Sequence, residues 1–142
     1  MDAPWEAGAS GVLTLPSGLR VRGRGLGRPL PDGPVPTFAL HLLGHQPPAT
    51  PWPSRWVRWR DLGLPSDPDD LADALTAVRS HARPEIACHG GTGRTGTALA
   101  CLAVCDGLSP DDAVAHVRAH YRPGAVETRR QMRFVASFAA RP

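Results

Sequence analysis

The chain contains no lysine and no asparagine. Its formal net charge of +3 is carried by arginine alone. Ala, Gly, Pro and Arg abound, which reads as coding bias in a GC-rich genome rather than as selection for charge. The arginines are scattered and not massed along one stretch, so no nucleic-acid partner is indicated. The missing lysine also excludes a nucleotide-binding phosphate loop, which needs Lys before Ser or Thr. No run is long and apolar enough to span a bilayer, so no membrane partner is expected. The first residues, Met1-Asp2-Ala3-Pro4-Trp5-Glu6, lack the basic and apolar parts of a secretion signal. Cysteine is scarce: three residues make an odd count that suits no disulfide framework and offers too few thiols for a four-thiolate zinc site. These absences lead to an expectation of a cytoplasmic protein in a reducing compartment, with no metal and no cofactor.

The 142 residues suffice for one compact domain, residues 1–142, with 1–10 as a loose end. Val12-Leu13-Thr14-Leu15, a Pro16-Ser17-Gly18 turn and Leu19-Arg20-Val21-Arg22 read as a hairpin. Residues 28–36 and 45–53 are proline-rich connectors around a strand at 37–43. Arg55 to Trp59 alternates as a strand. Asp67-Pro68-Asp69-Asp70 opens a helix with an N-cap, proline at N1 and acid behind it. Leu71, Leu75 and Val78 then mark its buried face. Glu85 to Cys88 is a further strand, and residues 98–108 are apolar nearly all round, as a buried helix should be. Gly107 can close that helix. Ser109-Pro110-Asp111-Asp112 opens another, with Val114, Val117 and Tyr121 on one face. The last helix carries Gln131, Phe134, Val135 and Phe138. Strands dominate the first half and helices the second. The expectation is an α/β fold: a central mixed sheet flanked by helices.

One stretch organises the rest: Ile86-Ala87-Cys88-His89-Gly90-Gly91-Thr92-Gly93-Arg94-Thr95-Gly96. A short strand runs into Cys88, a glycine-rich turn follows, and a helix begins near Thr95. Glycines let a loop curl its amide groups round a tetrahedral anion. The following helix points its positive end at the same spot. Arg94, in the spacing C-x5-R, can grip two oxygens with its planar fork. A cysteine at the bottom of such a nest is favoured as thiolate, a nucleophile under a bound phosphate. Gly91, Gly93 and Gly96 also match G-x-G-x-x-G, but no strand ending in an acid follows at the distance a dinucleotide site needs.

This motif resembles the phosphate-binding loop of the cysteine-dependent protein tyrosine phosphatases, of the compact bacterial tyrosine or dual-specificity kind. The resemblance covers about Trp56 to Phe138 and implies that family's fold. It also implies a metal-independent phosphomonoester hydrolase acting on phosphotyrosine through a cysteinyl-phosphate, with dual specificity left open. It assigns Cys88 as nucleophile. Arg94 and the loop residues His89, Gly90, Gly91, Thr92 and Gly93 become phosphate-binding, and Thr95 the hydroxyl that helps sulfur leave. Trp59-Arg60-Asp61-Leu62-Gly63-Leu64-Pro65 resembles the family's acid loop with Arg60 in the proline's place, so Asp61 is the expected general acid. Asp67, Asp69 and Asp70 compete by position but are satisfied as helix-start residues. Gln131 resembles the glutamine that holds the attacking water, although Thr128 and Gln131 equally form a capping box.

Some features depart from the family. It usually has His immediately before the cysteine, where this chain has Ala87. The hydrogen bonds that residue supplies to the loop must come from elsewhere, and His89 becomes a residue of the pocket rim. The aromatic clamp of the large classical enzymes has no match, and Tyr121 lies in a helix on the wrong side of the motif. Trp52, Trp56 and Trp59 are expected in the core or pocket wall, and Cys101 and Cys105 in the core. The expected partners are a phosphorylated protein or peptide as substrate, and inorganic phosphate or vanadate as ligand. Two alternatives stay open: a phosphoinositide phosphatase, and a catalytically silent phospho-binding module.

Overall fold

Residues 2–141 are described by a computed structural model. The chain runs β1 (Val12–Thr14), β2 (Arg20–Gly25), β3 (Phe38–Leu43), β4 (Ser54–Arg58), α1 (Pro68–Arg79), β5 (Pro84–Cys88), α2 (Gly93–Cys105), α3 (Pro110–His120) and α4 (Arg129–Ala139). The strands form one five-stranded sheet in the order β1-β2-β5-β3-β4. β1 and β2 are the expected antiparallel hairpin, and the remaining pairings are parallel. The mixed α/β sheet with its helices is therefore present, with β5 at its centre. β2, β5, β3 and β4 all run the same way, so the segments that leave them gather at one end of the sheet. Parallel sheets hold their ligands at that carboxyl end. No helix among the described residues is long and apolar enough to cross a membrane.

Alternation along the strands sorts the sheet into two unlike faces. The in-register pairs Leu40↔Ile86, Leu42↔Val57 and Gly25↔Cys88 share one face. Their side chains merge with Leu71, Leu75 and Val78 of α1, Leu99 and Leu102 of α2, Val117 of α3 and Val135 of α4 into a single core. The helix starts are built as the sequence implies. Asp67 accepts from the N–H groups of Asp69 and Asp70, and Ser109 accepts from that of Asp112. α2 stops at Cys105, earlier than the apolar run suggests, and Gly107 follows it at φ +110. Only a residue without Cβ takes that angle cheaply.

The other face is polar and buried. Glu85 is fully buried and accepts from Arg22 Nε at 2.8 Å and Nη2 at 2.5 Å, and from Arg24 Nε at 3.0 Å. Such a cluster must be kept from water, and Trp5 helps to do so. Its ring lies 4.2 Å from the Arg22 guanidinium, and its indole N–H donates to Pro84 O at 2.8 Å. The expectation of a loose first ten residues is thus corrected at Trp5, which is 3% exposed. Local pattern could not reveal it, because the partners stand far along the chain. His41, the cross-strand neighbour of Ala87, lies on this face fully buried. Neither ring nitrogen has a hydrogen-bond partner among the described residues. Burial pushes its pKa down, partly opposed by Glu85, and Arg24 adds to the lowering.

Removing the one carboxylate would leave two guanidinium groups beside each other without their counter-charge. Breaking a buried ion pair in this way costs about 3–5 kcal/mol. Glu85→Gln is expected to lower the unfolding free energy on that scale in urea denaturation, and a change under about 1 kcal/mol would show the cluster to be solvated after all.

Candidate active site

Cys88 ends β5, and the loop to Arg94 continues directly from it. Its first carbonyls stay attached to the end of β2: Leu26 N–H donates to Cys88 O at 2.8 Å and Gly27 N–H to His89 O at 3.0 Å. Then the chain turns sharply. Gly91 has φ +75, and a Cβ there would stand 2.5 Å from Gly25 N. Both the angle and the lack of space demand glycine. Gly90 O accepts from Arg122 Nη1 at 2.9 Å, and Gly91 O accepts from the Tyr121 hydroxyl at 2.5 Å. A peptide plane holds its N–H opposite its C=O, so fastening these carbonyls outside turns the following N–H groups inward. Gly91 N–H accordingly donates to Cys88 Sγ at 3.1 Å. The Thr95 hydroxyl donates to the same sulfur at 3.1 Å. Two donors thus converge on one buried sulfur at the base of the loop.

Arg94 stands in the first turn of α2 and is 6% exposed. The positive end of the helix dipole disfavours a cation there by on the order of 0.3–1 kcal/mol. The fold holds it nevertheless: Nη1 donates to Trp59 O at 3.1 Å, and Nη2 lies 3.8 Å from Asp61 Oδ1. Its Nε is buried and has no partner among the described residues. An unpartnered, buried guanidinium N–H beside inward-turned amides is the donor set that a tetrahedral oxyanion satisfies. Asp61 itself is exposed. The expected general acid and the expected phosphate-gripping arginine are therefore neighbours, although far apart in sequence. Asp67 is engaged as the cap of α1, Asp70 pairs with Arg55 at 2.5 Å, and Asp69 pairs with Arg141.

The loop carrying Asp61 is held at its base. Trp59 is fully buried, its N–H donates to Leu43 O at 2.9 Å, and its indole N–H donates to Gly63 O at 2.8 Å. Leu62, next to Asp61, takes φ +60 with its side chain exposed. That angle is uncommon for a leucine and marks a tight tip. Gln131 supplies the other fastening. Its Oε1 accepts from the N–H groups of Glu127 and Thr128, and its Nε2 donates to Gly63 O at 3.2 Å. It is fully buried, and the capping box with Thr128 is complete. The capping-box alternative for Gln131 is thus formed in the structure. Its amide oxygen serves the start of α4, as the T-x-x-Q spacing offered, and its Nε2 adds a bond to the Asp61 loop.

Tyr121 and Arg122 are the residues that sequence reasoning missed. Tyr121 caps α3 instead of lying within it, and its hydroxyl reaches the Cys88 loop. Burial chiefly raises its pKa, to about 12, with Arg122 opposing, so the hydroxyl keeps the proton it donates. Arg122 holds Gly90 O and also the Thr92 hydroxyl at 3.1 Å. Together they supply outside hydrogen bonds of the kind that Ala87 cannot. The break at Arg122-Pro123-Gly124 was the available signal, since an ordered turn after a helix often carries function. His89 is exposed, with its ring against Gly27. Cys101 is buried, its thiol pKa pushed well up by burial and further by Cys105. Cys105, by contrast with the expected core position, is exposed.

Comparison with known proteins agrees with this arrangement. The sequence profile described as protein-tyrosine phosphatase matches residues 36–141. Protein tyrosine phosphatase domain-containing protein 1 of Danio rerio is 34% identical over 84 residues, which is 57% of this chain but only 12% of that protein. The crystal structure of Tk-PTP in its active form superposes with a TM-score of 0.63 at 28% identity, covering 73% of this chain and 79% of Tk-PTP. Kinase associated phosphatase, crystallised with its catalytic-site cysteine replaced by serine, shares the fold over the full length of both chains, with a TM-score of 0.72 at 16% identity. With a profile match that takes in the Asp61 loop, the Cys88 loop and the Gln131 segment alike, the chain belongs to the protein-tyrosine phosphatase family.

Proposed function

We propose that this phosphatase hydrolyses phosphotyrosine in proteins or peptides through a cysteinyl-phosphate intermediate. The observation that carries the proposal is the buried Cys88 sulfur, under two donors, beside the unpartnered Nε of Arg94. In the first step the Cys88 thiolate attacks phosphorus. The phosphorus–sulfur bond forms, the ester phosphorus–oxygen bond breaks, and the leaving oxygen takes a proton from Asp61. Arg94 and the loop amides of residues 89–94 hold the equatorial oxygens of the transition state. In the second step water attacks phosphorus and gives its proton to Asp61. Sulfur leaves as thiolate, assisted by the Thr95 hydroxyl already bonded to it. Gln131 acts on this step by holding the loop that carries Asp61. Retention of both Cys88 and Asp61 speaks against a silent phospho-binding module. A reducing, cytoplasmic setting suits a mechanism that depends on a free thiol.

Cys88→Ser is expected to abolish turnover of p-nitrophenyl phosphate while inorganic phosphate still binds, because the amides and Arg94 hold the anion. Substantial turnover by the serine variant would sink the covalent route.

Asp61→Asn should slow hydrolysis of phosphotyrosine peptides by about a hundredfold or more, the scale of a general acid. Asp67→Asn should instead leave turnover near wild type, because asparagine keeps the cap, whereas Asp67→Ala should cost about 1 kcal/mol of stability as a lost cap. The reverse pattern in steady-state kinetics would move the acid to α1.

A phenolic oxygen leaves more readily than an alkanol, so phosphotyrosine peptides should exceed matched phosphoserine peptides in kcat/KM. Equal rates on the two would overturn the tyrosine preference and leave the Cys88 chemistry standing.

A further inference from the structure

The fold gathers arginines that look scattered in the sequence. A groove of about 230 Å³ runs between α4 and the descending limb of the Asp61 loop. Leu64 and Phe134 supply its apolar part, and Arg130, Arg133 and Ser137 stand along it. No residue that lines it is acidic. The carboxylates on either side of Leu64 in the chain are engaged elsewhere. Asp61 lies 3.8 Å from Arg94, Asp67 caps α1, and Asp69 pairs with Arg141.

Arg130 and Arg133 are both exposed, and neither enters an ion pair among the described residues. Three residues apart, they are neighbours on one helix face. Like charges at neighbouring positions destabilise a helix. Arg129 and Arg130 also stand in its first turn, which holds no acid, so their cations oppose the helix dipole. A partner that brings carboxylates relieves both repulsions.

The groove begins beside the candidate active site. Gln131, next to Arg130, donates from Nε2 to Gly63 O, one residue before Leu64 and two after Asp61. Its Oε1 accepts from the Glu127 N–H, and a Cβ on Gly93 would stand 2.5 Å from Glu127 Oε1. The start of α4 is thus bracketed by the Asp61 loop and by the last residue of the Cys88 loop before Arg94. Phe134 packs edge-on against Trp59, with ring centroids 6.1 Å apart, and Trp59 O accepts from Arg94. From Arg130 to Ser137 the helix advances about 10 Å, the span of about three extended residues of a bound chain. Guanidinium forks beside an apolar groove fit an extended, carboxylate-bearing segment better than a flat lipid surface. We propose that this groove docks an acidic segment of the substrate, with Asp or Glu side chains near the phosphotyrosine seated on Arg130 and Arg133. The proposal rests on the phosphotyrosine reading of the Cys88 site and names the class of substrate that the site would take.

Binding and turnover test it separately. In calorimetric titration, the Cys88→Ser protein should bind a phosphotyrosine peptide with Glu on both flanks about fivefold more tightly than its Gln-flanked match, the scale of two exposed ion pairs. The difference should vanish at about 1 M salt, where charges are screened within about 3 Å. With Arg130→Ala and Arg133→Ala added, the two peptides should bind alike. With both arginines changed to Glu, the preference should move to a Lys-flanked peptide, which a merely structural role would not produce. In the chain that keeps Cys88, the Glu preference should appear in KM with kcat unchanged. The two alanine substitutions should erase it there and leave turnover of p-nitrophenyl phosphate at the wild-type rate. Equal affinity for Glu- and Gln-flanked peptides, or a Glu preference that survives both alanines, would overturn the groove and leave the phosphatase reading standing. Binding to phosphatidylserine vesicles that the alanines abolish, with no Glu preference among peptides, would overturn it in favour of a lipid surface. An arginine-dependent Glu preference in binding, without hydrolysis of any phosphotyrosine peptide by the wild-type chain, would uphold the groove and overturn the phosphotyrosine reading.

Discussion

A loop that turns its amides toward an anion cannot hold itself together by its own backbone bonds. Its carbonyls point away from the cup and must be fastened by something else. In this chain the end of β2 takes the carbonyls of Cys88 and His89, and the turn after α3 takes those of Gly90 and Gly91. The first pair needs only that β2 lie beside β5. The second needs a tyrosine and an arginine at the end of a helix that itself packs on α2. The shape of the Cys88 loop thus depends on the placement of the sheet and of the helix that follows α2.

Three glycines show how tight that dependence is. Gly25 and Gly91 face each other closely enough that a Cβ on either would strike the other strand or loop. Gly96, in the first turn of α2, leaves room for Ala125, where a Cβ would come within 2.5 Å. The segment 121–127 therefore presses on the loop and on the helix start at once. A change in that segment therefore acts on the Cys88 loop from outside it.

Much of this was legible in the sequence, and the reason is locality. The hairpin, the caps at Asp67, Ser109 and Thr128, and the strand-loop-helix around Cys88 are each decided within a few residues. The pairing of Asp61 with Arg94 was legible through resemblance alone, since no local rule brings them within 3.8 Å. What stayed hidden was non-local and polar. Trp5 reads as part of a loose end until Arg22 and Pro84 are seen beneath it. Tyr121 reads as a helix-face residue until its hydroxyl is seen at Gly91. Gln131 carried two readings on one spacing, and its Nε2 contact with Gly63 O belonged to neither.

That last contact also shows how the two halves of the site are joined. Gly63 O receives both the Trp59 indole and the Gln131 amide, while Arg94 holds Trp59 O. The start of α4, the Asp61 loop and the start of α2 are thereby linked through side chains that are all nearly inaccessible to water. Hydrogen bonds so placed are costly to break, because each freed group stays buried and unsatisfied. Asp61, by contrast, projects into solvent from a tip turned by Leu62, with Arg94 as its ion-pair neighbour. The base of the loop is therefore fixed and its tip is left free. An anion that takes over the Arg94 fork releases Asp61 from its only ion-pair partner among the described residues without disturbing the bonds that hold the loop in place.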